Sequence, residues 1–181
     1  FEVTPNAQQI FESLRSSGQG ALILCSHFGH WEAMGVALHR LGFHYSAVST
    51  QGKRDLVNRF IQGRRKSMGV HVIDGSDSAR VIVNKLRNAK PVALFVDVPV
   101  KRRGVQINFL QRTVNRSTVI NRLAQLNSCP RIFVFNQRDE RGLYRIYAEE
   151  IPDDVDLIKW SHTRLEQLIK SAPTQWVWLL E

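Results

Sequence analysis

The sequence predicts an α/β fold: a mainly parallel, mixed sheet flanked by helices. Three observations predict it. Short continuous apolar runs of four to six residues recur along the chain, as strands buried on both faces require. Segments with apolar residues at helical spacing alternate with those runs, which is the rhythm of repeated βαβ units. The chain has 181 residues, 43% of them hydrophobic and 23% charged. That composition is globular, and a chain of this length buries roughly 70% of its unfolded surface without a disulfide or metal staple.

The elements follow in order. Asn6, after Pro5, is a candidate cap for a helix over 7–16 that turns Ile10, Phe11 and Leu14 to one face, and Gly18 and Gly20 end it. Ala21 to Cys25 is an unbroken apolar strand that stops at Ser26-His27-Phe28-Gly29. A helix over 31–41 places Trp31, Met34, Leu38 and Leu41 together, and His44 to Ser49 reads as the second strand. Residues 54–68 read as a helix with Val57, Phe60, Ile61 and Met68 inward and its arginines outward. Val70 to Ile73 is a third strand, followed by a helix over 77–88 carrying Val81, Ile82 and Leu86. Pro91 to Asp97 is the strongest buried strand in the chain. A helix near 117–127, strands near 131–137 and 143–149, and helices after 160 complete the series. The acidic stretch from Glu149 to Asp156 reads as a solvated loop. No repeat, low-complexity tract or linker divides the chain, so a single domain over 1–181 is expected. The chain opens at Phe1 without a methionine or signal peptide, which suggests a piece trimmed at both ends.

The formal charge of +9 is unevenly spread. Residues 53–122 hold sixteen Lys and Arg against four acids, a balance of +12, while the rest of the chain stands at −3. A field gathered in this way favours an anionic partner such as a phosphate-bearing lipid, an acidic carrier protein or nucleic acid. The bland alternative is a solvated basic face. Interleaved exposed aromatics and module signatures, which nucleic-acid binders usually carry, are absent, so nucleic acid is not the expected partner. No apolar run approaches the ~18 residues of a membrane-spanning helix. Cys25 and Cys129 form neither a disulfide framework nor a zinc motif, which fits a reducing compartment.

Open α/β sheets collect ligands at the carboxyl ends of their strands. Ser26-His27-Phe28-Gly29-His30-Trp31-Glu32 falls at such an end and admits three readings. His27 caps the following helix and Glu32 is a first-turn carboxylate favoured by the helix dipole. Alternatively, His27 is a general base whose ring Glu32 orients. Alternatively, His27, His30 and Glu32 hold a metal, although the spacing matches no familiar zinc pattern. His39, His44, His71 and His162 have no partner at a telling spacing, and Cys25 shows no sign of an activated thiol.

The run from Gly20 to Glu32 resembles the first motif, His-x4-Asp/Glu, of the lysophospholipid acyltransferase superfamily. It is most similar to the bacterial lipid A biosynthesis (lauroyl/myristoyl) branch, which reads approximately H-F-G-N-W-E. The resemblance extends in order along the chain. Arg64-Arg65-Lys66-Ser67-Met68-Gly69 resembles that branch's arginine-bearing helix end, and Val92 to Asp97 its strand ending in Asp-Gln. Gly104 to Leu110 resembles its G-V-x-V-x-F-F-G segment, and Pro173-Thr174-Gln175-Trp176-Val177-Trp178 its closing P-E-Q-W-x-W. The chain departs from the branch at His30 (usually Asn), at Val98 after Asp97, at Leu110-Gln111 in place of the F-G turn, and at Val114 to Ser117. Those departures leave the acceptor open.

The resemblance implies an acyltransferase-like fold of the glycerol-phosphate-acyltransferase type. It implies transfer of a fatty acyl group from a thioester to a hydroxyl of a lipid or glycolipid, with His27 as base and Glu32 as its partner. Phe28, Gly29, His30, Arg65, Asp97 and Gly104 become candidate substrate contacts, with Arg65 for a phosphate or carrier. Trp31 is a candidate for the core or the acceptor pocket, Asp97 for a paired structural role or acceptor binding. Lys101-Arg102-Arg103 would face donor, carrier or membrane. Backbone N–H groups opening the 31–41 helix near Gly29 are expected to stabilise an oxyanion. No cofactor or metal is expected beyond the acyl thioester as co-substrate. Acyl carrier protein is expected as donor ahead of coenzyme A, and an anionic membrane surface as partner. The expected location is cytoplasmic, peripheral on the inner face of the bacterial membrane. Two rivals stay open: a basic anion-binding module with an inactive site, and a metal-dependent hydrolase.

Overall fold

The computed structural model describes residues 1–49, 56–67, 69–74, 79–101 and 104–178. Their order is β1 (Glu2–Val3), α1 (Pro5–Ser17), β2 (Leu22–Cys25), α2 (Trp31–Arg40), β3 (Ser46–Ser49), α3 (Leu56–Ser67), β4 (His71–Asp74), α4 (Ala79–Arg87), β5 (Val92–Phe95), β6 (Gly104–Phe109), β7 (Arg112–Ser117), α5 (Val119–Leu126), β8 (Arg131–Arg138), β9 (Tyr144–Glu150) and α6 (Leu157–Ser171), with a 3-10 turn over Pro173–Gln175.

Among the described residues, seven strands make one sheet in the order β1-β9-β8-β2-β5-β3-β4. Every pairing is parallel except β8 with β9, so the sheet is mainly parallel and mixed, as the alternating pattern predicts. The pleat divides the apolar strands between two cores. Leu22, Leu24, Phe133 and Phe135 point to the face covered by α4, α5, α6 and the β6–β7 hairpin. Ile23, Cys25, Ile132 and Val134 point to the face covered by α1 and α2. That double coverage is why the strands read as continuous apolar runs.

Three expectations change. The first helix is capped by Thr4, whose side chain accepts from the Ala7 N–H, with Pro5 in the first turn where its missing N–H costs nothing. Asn6 lies inside that helix and donates from its side chain to the Ala148 carbonyl at 3.1 Å. On α3, Phe60 and Ile61 are 69% and 37% exposed rather than buried, while the Arg65 side chain turns in to Glu32. Val57 and Met68, expected beside them, lie outside the described side chains. The β6–β7 hairpin was legible only as a family segment. Its two-residue turn puts Leu110 and Gln111 at φ 50° and 63°, where hairpins normally carry Asn or Gly, so the usual turn signal is missing.

Candidate active site

Strand register builds the site. β2 and β5 are neighbours, with Cys25 opposite Phe95. Two residues further along each chain, at the carboxyl edge of the sheet, stand His27 and Asp97. The Asp97 carboxylate accepts from His27 Nδ1 at 2.9 Å and, through Oδ2, from the His27 backbone N–H at 2.8 Å. Trp176 Nε1 donates to the same Oδ2 at 3.0 Å. An ionised carboxylate only accepts, so the neutral imidazole carries its proton on Nδ1 and leaves the Nε2 lone pair free. Phe95 stacks on the ring at 4.3 Å and Trp31 meets it edge-on at 4.9 Å, fixing its plane. The His27 side chain keeps 21% of its surface exposed, while that of Asp97 has none.

Burial alone would raise the Asp97 carboxyl pKa. The His27 ring and its backbone N–H, with the Trp176 indole, outweigh that and hold it below the ordinary carboxylate value. Behind this group, Arg116 is buried and donates from Nε to His162 Nε2 at 3.0 Å. Burial pushes the His162 imidazole down to about 4, so it is neutral and protonated on Nδ1, which meets the Ile158 carbonyl at 2.8 Å. His162 is thus a satisfied core histidine, while His39 and His44 bond to each other through their Nδ1 atoms.

The carboxylate on the His27 ring is Asp97, and this corrects the pairing expected for Glu32. Glu32 lies in the first turn of α2, where the helix directs its side chain to α3. Both its oxygens accept from Arg65 Nε at 3.1 Å, Arg65 Nη2 also bonds it, and Arg65 Nη1 donates to Ser49 Oγ at 3.1 Å. Arg65, expected to face a phosphate, therefore binds within the protein and ties α3 to α2 and β3. Arg64 beside it is exposed.

The other expected contacts divide. Phe28 is 1% exposed and belongs to the core, so its ring is closed to a substrate. Gly29 adopts φ 70° and presses on Asn136, whose backbone and side-chain oxygens occupy the space a Cβ would need. Its N–H donates to the Gln175 carbonyl at 2.7 Å, which withdraws it from the oxyanion role. His30 is exposed and caps α2, accepting from the Ala33 N–H at 3.4 Å, while its own N–H donates to Asn136 Oδ1 at 2.9 Å. Gly104 opens β6 and is exposed, and a Cβ there would meet Asn115, Arg116 and Val100, so the position has room only for glycine. Arg102 and Arg103 lie outside the described residues.

His27, His30 and Glu32 are turned to three different partners, and among the described residues no three His, Cys, Asp or Glu side chains converge as a metal site. Burial, with Asp97 nearby, raises the Cys25 thiol well above its ordinary value, which suits a core residue and not a nucleophile. Sequence reasoning missed Trp176 and Asn136 as partners of the His27–His30 loop. Trp176 bridges to Phe28 and bonds Asp97 across 79 positions, and Asn136 bonds His30 across 106.

An α/β sheet with a carboxylate-held histidine at its central carboxyl edge defines a class of proteins equipped for proton transfer at a nucleophile. Within that class, residues 4–181 match the family described as bacterial lipid A biosynthesis acyltransferase, and the chain belongs to this family. It is 28% identical over 102 residues to a phosphatidylinositol mannoside acyltransferase of Mycolicibacterium smegmatis (strain ATCC 700084 / mc(2)155), a stretch covering 54% of this chain and 33% of that protein. A phosphatidylinositol mannoside acyltransferase of Mycobacterium tuberculosis (strain CDC 1551 / Oshkosh) is 30% identical over 99 residues, 52% of this chain and 31% of its own. The matched stretch thus spans about a third of these curated relatives.

Proposed function

We propose that this chain transfers a fatty acyl group from a thioester to a hydroxyl of a lipid or glycolipid, with His27 as general base and Asp97 as its positioning partner. The observation that carries the reading is the free Nε2 of a histidine whose Nδ1 proton is held by a buried, ionised aspartate. A hydroxyl attacks the thioester carbonyl as its proton passes to Nε2. The tetrahedral oxyanion then collapses, expelling the thiolate, which takes the proton back from the imidazolium. An ester and a free thiol result and His27 is neutral again. The aspartate stabilises the transient imidazolium, and no covalent enzyme intermediate is required. Among the described residues, no group accepts from the Trp31 and Glu32 amides that open α2. Those amides are the donors we assign to the oxyanion.

Family membership and the relatives' names support a lipid or glycolipid acceptor, and a mannosylated phosphatidylinositol is one acceptor of this chemistry. The +12 balance over 53–122 favours acyl carrier protein, an acidic donor, over coenzyme A. It also favours an anionic membrane face. Exposed Phe60 and Ile61, among the exposed Arg59, Arg64 and Lys66 of α3, give that face an apolar point of entry at the cytoplasmic leaflet. No helix among the described residues is long and apolar enough to cross a membrane. The acyl thioester is the co-substrate, and the reading needs no cofactor.

The test is thiol release from acyl-carrier-protein and coenzyme A thioesters, with bacterial lipid extract as acceptor and products identified by mass. His27→Ala removes the base and lowers turnover by about 10²–10⁴-fold while the fold is kept. Undiminished release from His27→Ala, with the same acylated product, refutes the assignment.

A further inference from the structure

The closing segment Pro173–Trp178 reaches the site through the Trp176 indole on Asp97. It follows α6 and runs back along the His27 loop. Trp176 pairs with Phe28 in an antiparallel bridge, the Gly29 N–H donates to the Gln175 carbonyl at 2.7 Å, and the Val177 N–H donates to the His27 carbonyl at 3.2 Å. The side chain of Gln175 imitates a further strand residue at the end of β8, accepting from the Arg138 N–H at 2.7 Å and donating to the Arg138 carbonyl at 2.9 Å. Trp176 is 4% exposed, packs edge-on against Phe109 at 5.7 Å and delivers its N–H to Asp97 Oδ2. The segment therefore touches the carboxyl ends of β2, β5 and β8 at once. Those are adjacent strands of the sheet, and the first two carry the reacting histidine and its aspartate.

We infer that this segment is a positioning strap for the reaction. Trp176 holds the Asp97 carboxylate in the rotamer that meets His27 Nδ1, and Gln175 fixes the strap to β8 so that the His27 loop keeps its place. The inference rests on the general-base reading above. Asp97 has two oxygens and three donors to serve. His27 Nδ1 takes Oδ1, while the His27 N–H and the Trp176 indole share Oδ2. The two donors on Oδ2 stop the carboxylate from rotating, and with it the imidazole that depends on Oδ1. Trp176 thus acts through Asp97 on His27.

The test compares wild type with Trp176→Phe and with a variant carrying benzothienylalanine at 176, which keeps the indole's shape and replaces its N–H by sulfur. Hydrogen bonds to charged groups of this kind are worth enough that kcat should fall about ten- to a hundredfold, with KM unchanged. Because one donor to the carboxylate is lost, the Asp97 carboxyl titrates at higher pH by carbon NMR. The carboxyl titration is read in the whole chain and needs no turnover. A folded benzothienylalanine variant with wild-type kcat and an unmoved Asp97 titration overturns the strap. His27→Ala and Asp97→Asn run beside it. If both lose turnover while the 176 variants keep it, only the strap fails. If His27→Ala keeps turnover, the general-base reading fails and takes the strap with it.

Discussion

Replacing Asp97 by Asn separates the two carboxylates near His27 more sharply than any deletion. Asp97 Oδ2 accepts from two N–H groups, the His27 backbone at 2.8 Å and the Trp176 indole at 3.0 Å. An Asn at this buried position must keep its oxygen there. The reverse orientation would set its NH₂ against two donors and leave both unsatisfied, at roughly 2–6 kcal/mol for the pair. The NH₂ therefore occupies the Oδ1 position and points at His27 Nδ1 across the present 2.9 Å. Nδ1 must then accept, so the imidazole proton moves to Nε2, the atom that has to receive the hydroxyl proton. The base is present, correctly placed and in the wrong tautomer. In hydrolases with a Ser-His-Asp triad the same exchange costs about 10⁴-fold in kcat with the geometry intact, and a loss of that order is expected here. Thiol release gives the rate, and nitrogen-detected NMR of the His27 ring gives the tautomer. Glu32→Gln, in contrast, removes the ion pair with Arg65, keeping one accepting oxygen, and leaves the His27 tautomer unchanged. An Asp97→Asn protein that works within tenfold of wild type, or whose His27 still carries its proton on Nδ1, refutes the reasoning.

Two further outcomes concern stability. Because burial holds His162 down to about 4 against an ordinary 6.5, the unfolded chain binds the extra proton between those values. Its contribution is therefore complete above pH 6.5 and lost as pH falls towards 4, on the order of 3 kcal/mol in all. The lowered Asp97 carboxyl acts in the same direction at still lower pH, its contribution being lost as pH falls through its folded value. Urea unfolding of wild type and His162→Gln at pH 7, 5.5 and 4.5 checks this, and equal pH slopes in the two would contradict it. Gly29→Ala forces a Cβ against the Asn136 oxygens at φ 70°. It should cost about 3 kcal/mol, from left-handed strain and overpacking together, measured as the shift in denaturant midpoint.

The sheet was legible because its physics is local. Leu22 to Cys25 and Val92 to Phe95 are buried on both faces, and a strand in that position has no polar side to disguise it. The hairpin was not, since Leu110-Gln111 gives no turn signal and the alternating strands around it carry Arg112 and Arg116. α3 misled in another way. Helical spacing gathers Phe60 and Ile61 on one side, which in a globular chain means inward, yet both are exposed here, while Arg65, one turn beyond Ile61, reaches in to Glu32. A period fixes which residues share a face but not which face meets the core. His27 was identifiable from its place at a strand end. Its partner was not, because the choice between Glu32, five residues away, and Asp97, seventy away, depends on strand order, and local spacing carries no trace of which strands are neighbours.

That choice gives the two acids different tasks. Asp97 is wholly buried and held ionised by three hydrogen bonds, so it can steady an imidazolium without taking its proton. Glu32 has 37% of its side chain exposed, as suits a joint, and its guanidinium partner comes from the most cationic helix of the chain. The five-residue spacing sets His27 at the end of β2 and Glu32 in the first turn of α2, on the side where α3 approaches. Arg65 closes that joint and also reaches Ser49 at the end of β3, two strands from His27. Asp97 and the His27 tautomer, held from β5 and from the closing segment, have no part in that joint. The motif thus ties α2 to the cationic helix through Glu32, while the His27 ring is held by Asp97 from a neighbouring strand.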